Sequence, residues 1–188
     1  MKTTSNTLKA LLFGVLFLSG SQITAQTTTN PDTVCAGAIS EAYLVTPTAG
    51  SIYNWTITGG GGVQNPITTT SNITVDWGAI SGLYANAVSV TETDANGCLG
   101  TPIVLDVYIL DLQFPQIGPF CLGDPVANFG GTPGTGTYTD ASGTVITDFD
   151  PTLFGAGSHL ITYSLGGCST TMTAVVYPGP ITGPIQHF

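Results

Sequence analysis

The chain has 188 residues, only 7% of which are charged, and its formal net charge at pH 7 is −9. Its two basic residues, Lys2 and Lys9, both precede residue 10, so the remainder carries acidic side chains alone. Nucleic-acid binding needs cationic side chains that displace phosphate counterions, so this composition excludes it. A catalytic lysine, an arginine finger and a basic patch for anionic membranes are excluded for the same reason.

Residues 1–25 have the organisation of a secretory signal peptide. Both lysines lie in residues 1–9, an apolar run occupies residues 10–18, and a small and polar stretch follows at residues 19–25. This order is typical of signal peptides, and the apolar run is too short to cross a bilayer as a helix. We expect cleavage after Ala25, which leaves a secreted, strongly acidic chain that does not insert into the membrane.

The number and spacing of the cysteines are consistent with export to an oxidising compartment. The chain has four of them, Cys35, Cys98, Cys121 and Cys168, without the Cys-x-x-Cys spacing of a zinc or redox site. Four cysteines in such a compartment predict two disulfides, and three pairings are possible. The order along the chain favours a bond between Cys35 and Cys98. The remaining pair, Cys121 and Cys168, would then close the second half.

The rest of the chain alternates apolar and polar residues in short runs separated by Gly, Pro, Asn and Asp, which predicts β-strands. The candidate strands are residues 53–57, 73–77, 88–91, 103–109, 134–139, 144–147, 158–164 and 170–177. Strands this short and evenly spaced favour an all-β fold of two tandem β-sandwiches. We place the sandwiches at residues 31–110 and 120–178, a semi-rigid, proline-containing linker at 111–120 and a tail at 179–188.

Several motifs of the first half resemble a known group of modules. They are Val-Cys-Ala-Gly at 34–37, Tyr-Asn-Trp-Thr at 53–56, Val-Asp-Trp-Gly at 75–78 and Val-Thr-Glu-Thr-Asp-Ala-Asn-Gly-Cys at 90–98. These strings resemble the PKD-like domains of secreted and surface proteins of Bacteroidota, including gliding-motility adhesins. In tandem arrays of such modules an Ile-Thr-Gly-Pro string, present here at 181–184, often begins the next module.

Motifs of the second half resemble an immunoglobulin-like module of the same proteins. They are Phe-Cys-Leu-Gly-Asp-Pro at 120–125, Gly-Thr-Tyr at 136–138, Phe-Asp-Pro at 149–151, Gly-Ala-Gly-Ser-His at 155–159, Ile-Thr-Tyr-Ser at 161–164 and Gly-Cys-Ser at 167–169. The resemblance implies disulfide-bonded sandwiches used in adhesins and fibres. It carries over no catalytic residue, because fold and activity separate in such modules.

Candidate catalytic and metal-binding side chains are few. His159 lies in an alternating strand without a nucleophile motif around it, so we expect a structural role and no catalytic residue. Asp148 and Asp150 are spaced so that their side chains could offer oxygens to Ca²⁺, and the same holds for Asp94 and Asn96. Turns use Asp and Asn in the same way, so we predict no cofactor and no metal site, with calcium as the alternative.

Aromatic residues and the tail are the candidates for contact with other molecules. Trp55 and Trp77 share the apolar phase of their strands, which favours core burial over a sugar-stacking platform. The tail places Ile181, Ile185 and Phe188 in an extended segment, a candidate strand that could complete a sheet in a neighbouring copy. The alternative for this segment is a disordered tail.

Together these observations favour a non-catalytic, extracellular structural or adhesion protein. It would act as a surface fibre subunit or adhesin segment, through contacts with copies of itself or with other surface proteins. A carbohydrate-binding accessory module is the alternative, and it would need exposed aromatic side chains in one patch.

Overall fold

The computed structural model describes residues 31–187, so the predicted signal peptide and Phe188 lie outside the described residues. The first half contains β1 (Asp32–Cys35), β2 (Glu41–Leu44), β3 (Ile52–Ile57), β4 (Val63–Gln64), β5 (Asn72–Asp76), β6 (Gly82–Thr93) and β7 (Ile103–Leu110). The second contains β8 (Phe120–Cys121), β9 (Ala127–Asn128), β10 (Thr137–Thr139), β11 (Val145–Ile146), β12 (Asp148–Phe149), α1 (Pro151–Phe154), β13 (Gly157–Leu165) and β14 (Cys168–Tyr177). The predicted all-β fold is confirmed.

The first module, which we define as β1–β7, is a sandwich of two sheets. One sheet has the strand order β1-β7-β6-β3 and the other β2-β5-β4. Inward-facing side chains of both sheets form one core, with Val75, Val107 and Ile109 fully buried. In this core the Trp77 indole N–H donates a 3.1 Å hydrogen bond to the Tyr43 hydroxyl. Burial, together with the carboxylate of Asp32, holds the pKa of Tyr43 well above its usual range.

The second module, β8–β14, has its own core. Its larger sheet has the order β11-β10-β13-β14-β8, and β12 pairs with β9 in the smaller one. Phe149 of the smaller sheet and Ile161 and Ala174 of the larger sheet are fully buried in a common cluster. The Tyr163 ring is buried as well, and its hydroxyl donates to the Pro133 carbonyl.

The two modules repeat one arrangement of strands. In each, the first strand pairs in parallel with the last, β1 with β7 and β8 with β14. The last strand pairs antiparallel with the strand before it, β7 with β6 and β14 with β13. The next neighbour is β3 in one module and β10 in the other. Each strand of the first large sheet therefore has a counterpart in the second.

The segment between the modules lies against the second one. Backbone hydrogen bonds of 2.9 and 2.8 Å join Gln113 and Thr132 in both directions. The ring of Phe114 lies 5.4 Å from that of Tyr138 and 5.8 Å from that of Tyr163, and Ile117 packs on the same cluster. The domain limits predicted from the sequence stay predictions, and Phe114, Ile117 and Phe120 of the expected linker pack on the second core.

The predicted strands correspond to the longer strands of the structure. All eight candidate runs overlap a strand, although the run at 134–139 forms one only over its last three residues. Alternation does not predict β1, β2, β4, β8, β9, β12 or α1, which contain two to four residues each. No helix within residues 31–187 has the length and hydropathy of a membrane span.

Candidate functional site

The disulfide joins the two modules instead of closing each of them. Cys35 and Cys168 are bonded, with a Cα–Cα distance of 5.5 Å across 133 positions of sequence. Cys98 and Cys121 are free thiols, and both are exposed. The predicted pairings, Cys35 with Cys98 and Cys121 with Cys168, are therefore wrong, as is the expectation of one disulfide in each module.

The geometry of the first module explains why its own two cysteines do not pair. Cys35 ends β1 and is the register partner of Leu110, the last residue of β7. Cys98 lies in the turn that precedes Ile103, the first residue of β7. Eight residues of strand span about 26 Å. A disulfide requires Cα atoms within about 7 Å, so these cysteines lie too far apart.

The second module separates its cysteines in the same way. Cys121 is the register partner of Tyr177, the last residue of β14, whereas Cys168 is the first residue of that strand. We name the two ends of each module. The hairpin end holds the turn that precedes the last strand. The end where the last strand finishes is the carboxyl end. Each module thus has one cysteine at each end.

The disulfide lies in a packed joint between the modules. The turn at the hairpin end of the second module faces the carboxyl end of the first. A Cβ placed on Gly166 of this turn would lie 3.1 Å from Leu110 Cδ2 and 3.6 Å from Thr33 Cγ2. Leu110 is only 5% exposed, and Cys168 is buried too. The bond therefore reinforces a close contact.

The free thiol Cys98 ends a turn that Asp94 organises. The Asp94 carboxylate accepts 2.8 Å hydrogen bonds from the backbone N–H groups of Cys98 and Asn96. These bonds, that of Cys98 foremost, lower the pKa of Asp94 because they favour its charged form. Asp140 organises a matching turn through the Ser142 hydroxyl and the Thr144 N–H, with the same effect on its pKa.

The acidic residues considered as calcium donors bond within their own turns. The Asp150 carboxylate caps α1 by accepting from the N–H of Thr152 at 2.8 Å. Asp148 accepts a 2.9 Å hydrogen bond from the Thr147 hydroxyl. Among residues 31–187, no three His, Cys, Asp or Glu side chains come together in a way that could hold a metal ion. Calcium binding stays an alternative, and this geometry adds no support to it.

The histidine considered for catalysis lies among aromatic rings. His159 Nε2 is 2.9 Å from the Gly155 carbonyl oxygen. The imidazole makes an edge contact with Phe154, at 5.2 Å between ring centroids, and a tilted one with Phe149. These contacts agree with the structural role expected from the sequence.

The tryptophans are core residues, as predicted. Trp55 and Trp77 are both buried, and the Trp55 indole N–H donates a 2.8 Å hydrogen bond to the Thr70 carbonyl. Among the described aromatic residues, Tyr177 alone is a large exposed one. The described surface therefore presents no patch of several exposed aromatic rings of the kind that a sugar platform requires.

The predicted assembly strand is accessible but unpaired. Ile181 and Ile185 are fully exposed and belong to no strand of the structure, and Phe188 lies outside the described residues. The tail therefore leaves these two side chains available for contact. Its addition to a sheet of another copy stays a prediction.

Comparison with known proteins found similarity to solved structures alone. No protein-family model and no curated protein matches the chain. Immunoglobulin domains 1–4 of Sidekick-1 match at 13% identity and a TM-score of 0.35, over 80% of this chain and 47% of that one. The titin Z1Z2 domains, solved with telethonin, match at 13% identity and a TM-score of 0.26, over 81% of this chain and 93% of theirs. The chain thus spans about half of the Sidekick-1 fragment.

Proposed function

We propose that the chain is a non-catalytic structural segment of an extracellular fibre or adhesin, acting through contacts with copies of itself or with other surface proteins. The observation that carries this proposal is the disulfide between Cys35 and Cys168. A covalent bond between modules restrains their relative position, which is the property that a fibre needs. Domain interfaces within a chain otherwise permit relative motion by default.

The joint restrains the modules at two attachment points. The chain itself crosses from Leu110 into the segment packed on the second core. The disulfide adds a second crossing, from β1 of the first module to β14 of the second. Two crossings oppose bending and twisting more strongly than one, so the pair can act as one unit when it is pulled.

Extracellular placement is part of the proposal. Disulfides persist in oxidising compartments, which agrees with the signal peptide expected from the sequence. After cleavage at Ala25 the chain would contain no Lys or Arg, so trypsin-like proteases would find no site. The motifs at 34–37 and 120–125, which resemble those of Bacteroidota surface proteins, support a place at a bacterial cell surface.

The test is the assembly state of the mature chain, residues 26–188, measured by light scattering and negative-stain microscopy. A second sample without residues 179–188 tests the tail, and parallel samples with EDTA or Ca²⁺ test the metal alternative. We expect filaments or large oligomers of the complete mature chain. A monomer under all conditions, combined with specific binding on a glycan array, would replace the fibre proposal with the carbohydrate-binding alternative.

A further inference from the structure

The two carboxyl ends are built alike around their cysteines. The N–H of Ala36, which follows Cys35, donates a 2.9 Å hydrogen bond to the carbonyl of Leu110. The N–H of Leu122, which follows Cys121, donates an equal bond to the carbonyl of Tyr177. In each case a glycine in the left-handed region comes next, with φ of 73° at Gly37 and 97° at Gly123. Cys35 and Cys121 are thus equivalent positions.

The two hairpin ends are equivalent in the same sense. Cys98 follows Gly97 and Cys168 follows Gly167, and both glycines have φ of 85°. Cys168 begins the last strand of its module, and Cys98 lies in the connection between β6 and β7, directly before Leu99, which pairs with Thr93 at the end of β6. The existing joint therefore bonds a carboxyl-end cysteine to a hairpin-end cysteine. One cysteine of each kind, Cys121 and Cys98, is left without a disulfide partner.

The free cysteines lie at opposite outer ends of the pair of modules. The joint uses the carboxyl end of the first module and the hairpin end of the second. Cys98 is at the other end of the first module, and Cys121 is at the other end of the second. They cannot reach each other within one copy, but each faces outward in the position that its bonded counterpart occupies at the joint.

Exposed apolar side chains lie next to both free thiols, although each of these cysteines also donates its backbone N–H to a carboxylate, that of Asp124 for Cys121 and that of Asp94 for Cys98. Tyr177, the counterpart of the buried Leu110, is 55% exposed, and Leu122 beside Cys121 is exposed as well. At the other outer end, Leu99 follows Cys98 and is 74% exposed. A joint like the existing one would cover these side chains, as the hairpin of the second module covers Leu110. Burial of apolar surface would favour that contact.

We propose that Cys121 of one copy forms a disulfide with Cys98 of the next copy, repeating between copies the joint that Cys35 and Cys168 form within one. The proposal deepens the fibre function and rests on it. The two contact surfaces differ, so each copy keeps one free end of each kind. A head-to-tail contact that does not close into a ring generates an open filament.

Formation of this bond requires an oxidant, and we propose that the oxidant is another disulfide. In the organism it would belong to a thiol–disulfide oxidoreductase, and in the test tube it is oxidised glutathione. The Cys98 and Cys121 thiols each lose a proton, and the new S–S bond forms between copies. The two electrons reduce the oxidant disulfide, which leaves as two thiols. Attack proceeds through the thiolate and a mixed disulfide.

The experiment uses residues 26–188 with oxidised and reduced glutathione at pH 8 and about 0.15 M salt, where charges beyond about 8 Å are screened. We expect a ladder of multimers on a non-reducing gel that collapses to the monomer on reduction. Mass spectrometry should identify the peptide pair that contains Cys98 and Cys121. A wild-type chain that stays monomeric on the gel would overturn the proposal.

Two single variants test the direction of the contact. Cys98→Ser keeps the Cys121 thiol, and Cys121→Ser keeps the Cys98 thiol, so neither can extend beyond a dimer. When the variants are mixed, one of them carrying a mass tag, docking should favour the heterodimer over either homodimer by about tenfold. Homodimers and heterodimers in statistical proportion would show random thiol oxidation and would overturn the head-to-tail joint.

A matched control moves one thiol without changing its local turn. Thr144 ends the turn Asp-Ala-Ser-Gly-Thr at 140–144 as Cys98 ends Asp-Ala-Asn-Gly-Cys at 94–98. The variant Cys98→Ser/Thr144→Cys therefore keeps two exposed thiols, that of Cys121 and one in a turn similar to the turn of Cys98, and we expect it to lose the ladder. A ladder as strong as that of the wild type would show that the place of the thiol does not matter, against the proposal.

The variant Cys98→Ser/Cys121→Ser separates this proposal from the fibre function. Filaments of the double variant equal to wild type in number and length, without covalent multimers in the wild type, would leave the fibre function standing and remove the disulfide joint. Absence of both filaments and covalent multimers from the wild type would remove both. We expect wild-type filaments that survive dilution and double-variant filaments that are shorter or dissociate.

Discussion

Cys35 and Cys168 are bonded although 133 positions separate them, so the last residue of β1 holds the first residue of β14. In the part of the chain that the structure describes, no strand of one module pairs with a strand of the other. The cross-link and the contacts around Gly166 therefore decide how the modules are held together.

Disulfide mapping should recover one native bond. Trypsin finds no site in the mature chain, so pepsin digestion of the thiol-blocked protein is suitable. We expect a linked peptide pair that contains Cys35 and Cys168, with Cys98 and Cys121 blocked as free thiols in the monomer. A linked pair containing Cys35 and Cys98 would contradict the structure.

Removal of the bond should loosen the pair of modules. The variant Cys35→Ser/Cys168→Ser should give a larger radius of gyration in small-angle scattering, because the hairpin is no longer tied to β1. The loss in free energy of unfolding is at most about 5 kcal/mol for a loop of this length. In thiol-blocked monomers, Cys98→Ser/Cys121→Ser, which also removes two cysteines, should change neither the radius of gyration nor the free energy of unfolding. Equal scattering curves for the two variants would show that the bond does not hold the modules.

A methyl group at Gly136 should destabilise the second module. A Cβ there would overlap the ring of Tyr163 and lie 2.6 Å from the Ser164 carbonyl oxygen. Gly136→Ala should therefore cost about 1–3 kcal/mol by overpacking. A Cβ at Gly134 meets nothing within 4 Å, so Gly134→Ala is the matched control. Equal melting temperatures for the two variants in calorimetry would contradict the packing of Tyr163.

Two valines of β7 should differ in their contribution to the first module. Val107 is fully buried, whereas Val104 is exposed on the same strand. Val107→Ala should lower the free energy of unfolding by about 2 kcal/mol, and Val104→Ala by less than about 0.5 kcal/mol. Both tryptophans of the chain lie in the first core, so their fluorescence in urea follows this module. A larger loss in free energy of unfolding for Val104→Ala than for Val107→Ala would contradict the burial of Val107 on the inner face of β7.

Acid should weaken the two aspartate turns. Folding lowers the pKa of Asp94 and of Asp140, through backbone and hydroxyl donors that favour the carboxylate. Their stabilising effect is therefore complete above the unfolded pKa of about 3.9, and it is lost as the pH falls through the lower folded values. Carboxyl NMR titration should give midpoints below those of the same residues in urea. Equal midpoints would exclude the turn hydrogen bonds.

Alternation predicted the longer strands because one face of each enters a core while the other meets solvent. The residues 103–109 show this well, since Val107 and Ile109 are buried on one face of β7. Two-residue strands such as β8 and β9 are too short for any period, so only pairing with neighbours reveals them. The segment 111–120 has no alternation, so the sequence predicts a linker there, although tertiary contacts place Phe114 on the second core.

Composition and pattern by themselves determined the all-β class, the absence of Lys and Arg after residue 9 and the burial of both tryptophans. These properties follow from side-chain chemistry and from a two-residue period, which are local to the sequence. The tertiary structure alone decided which cysteines meet. Each module places its two cysteines at opposite ends of its last strand, about 26 Å or more apart, so only the neighbouring module can supply a partner within bonding distance.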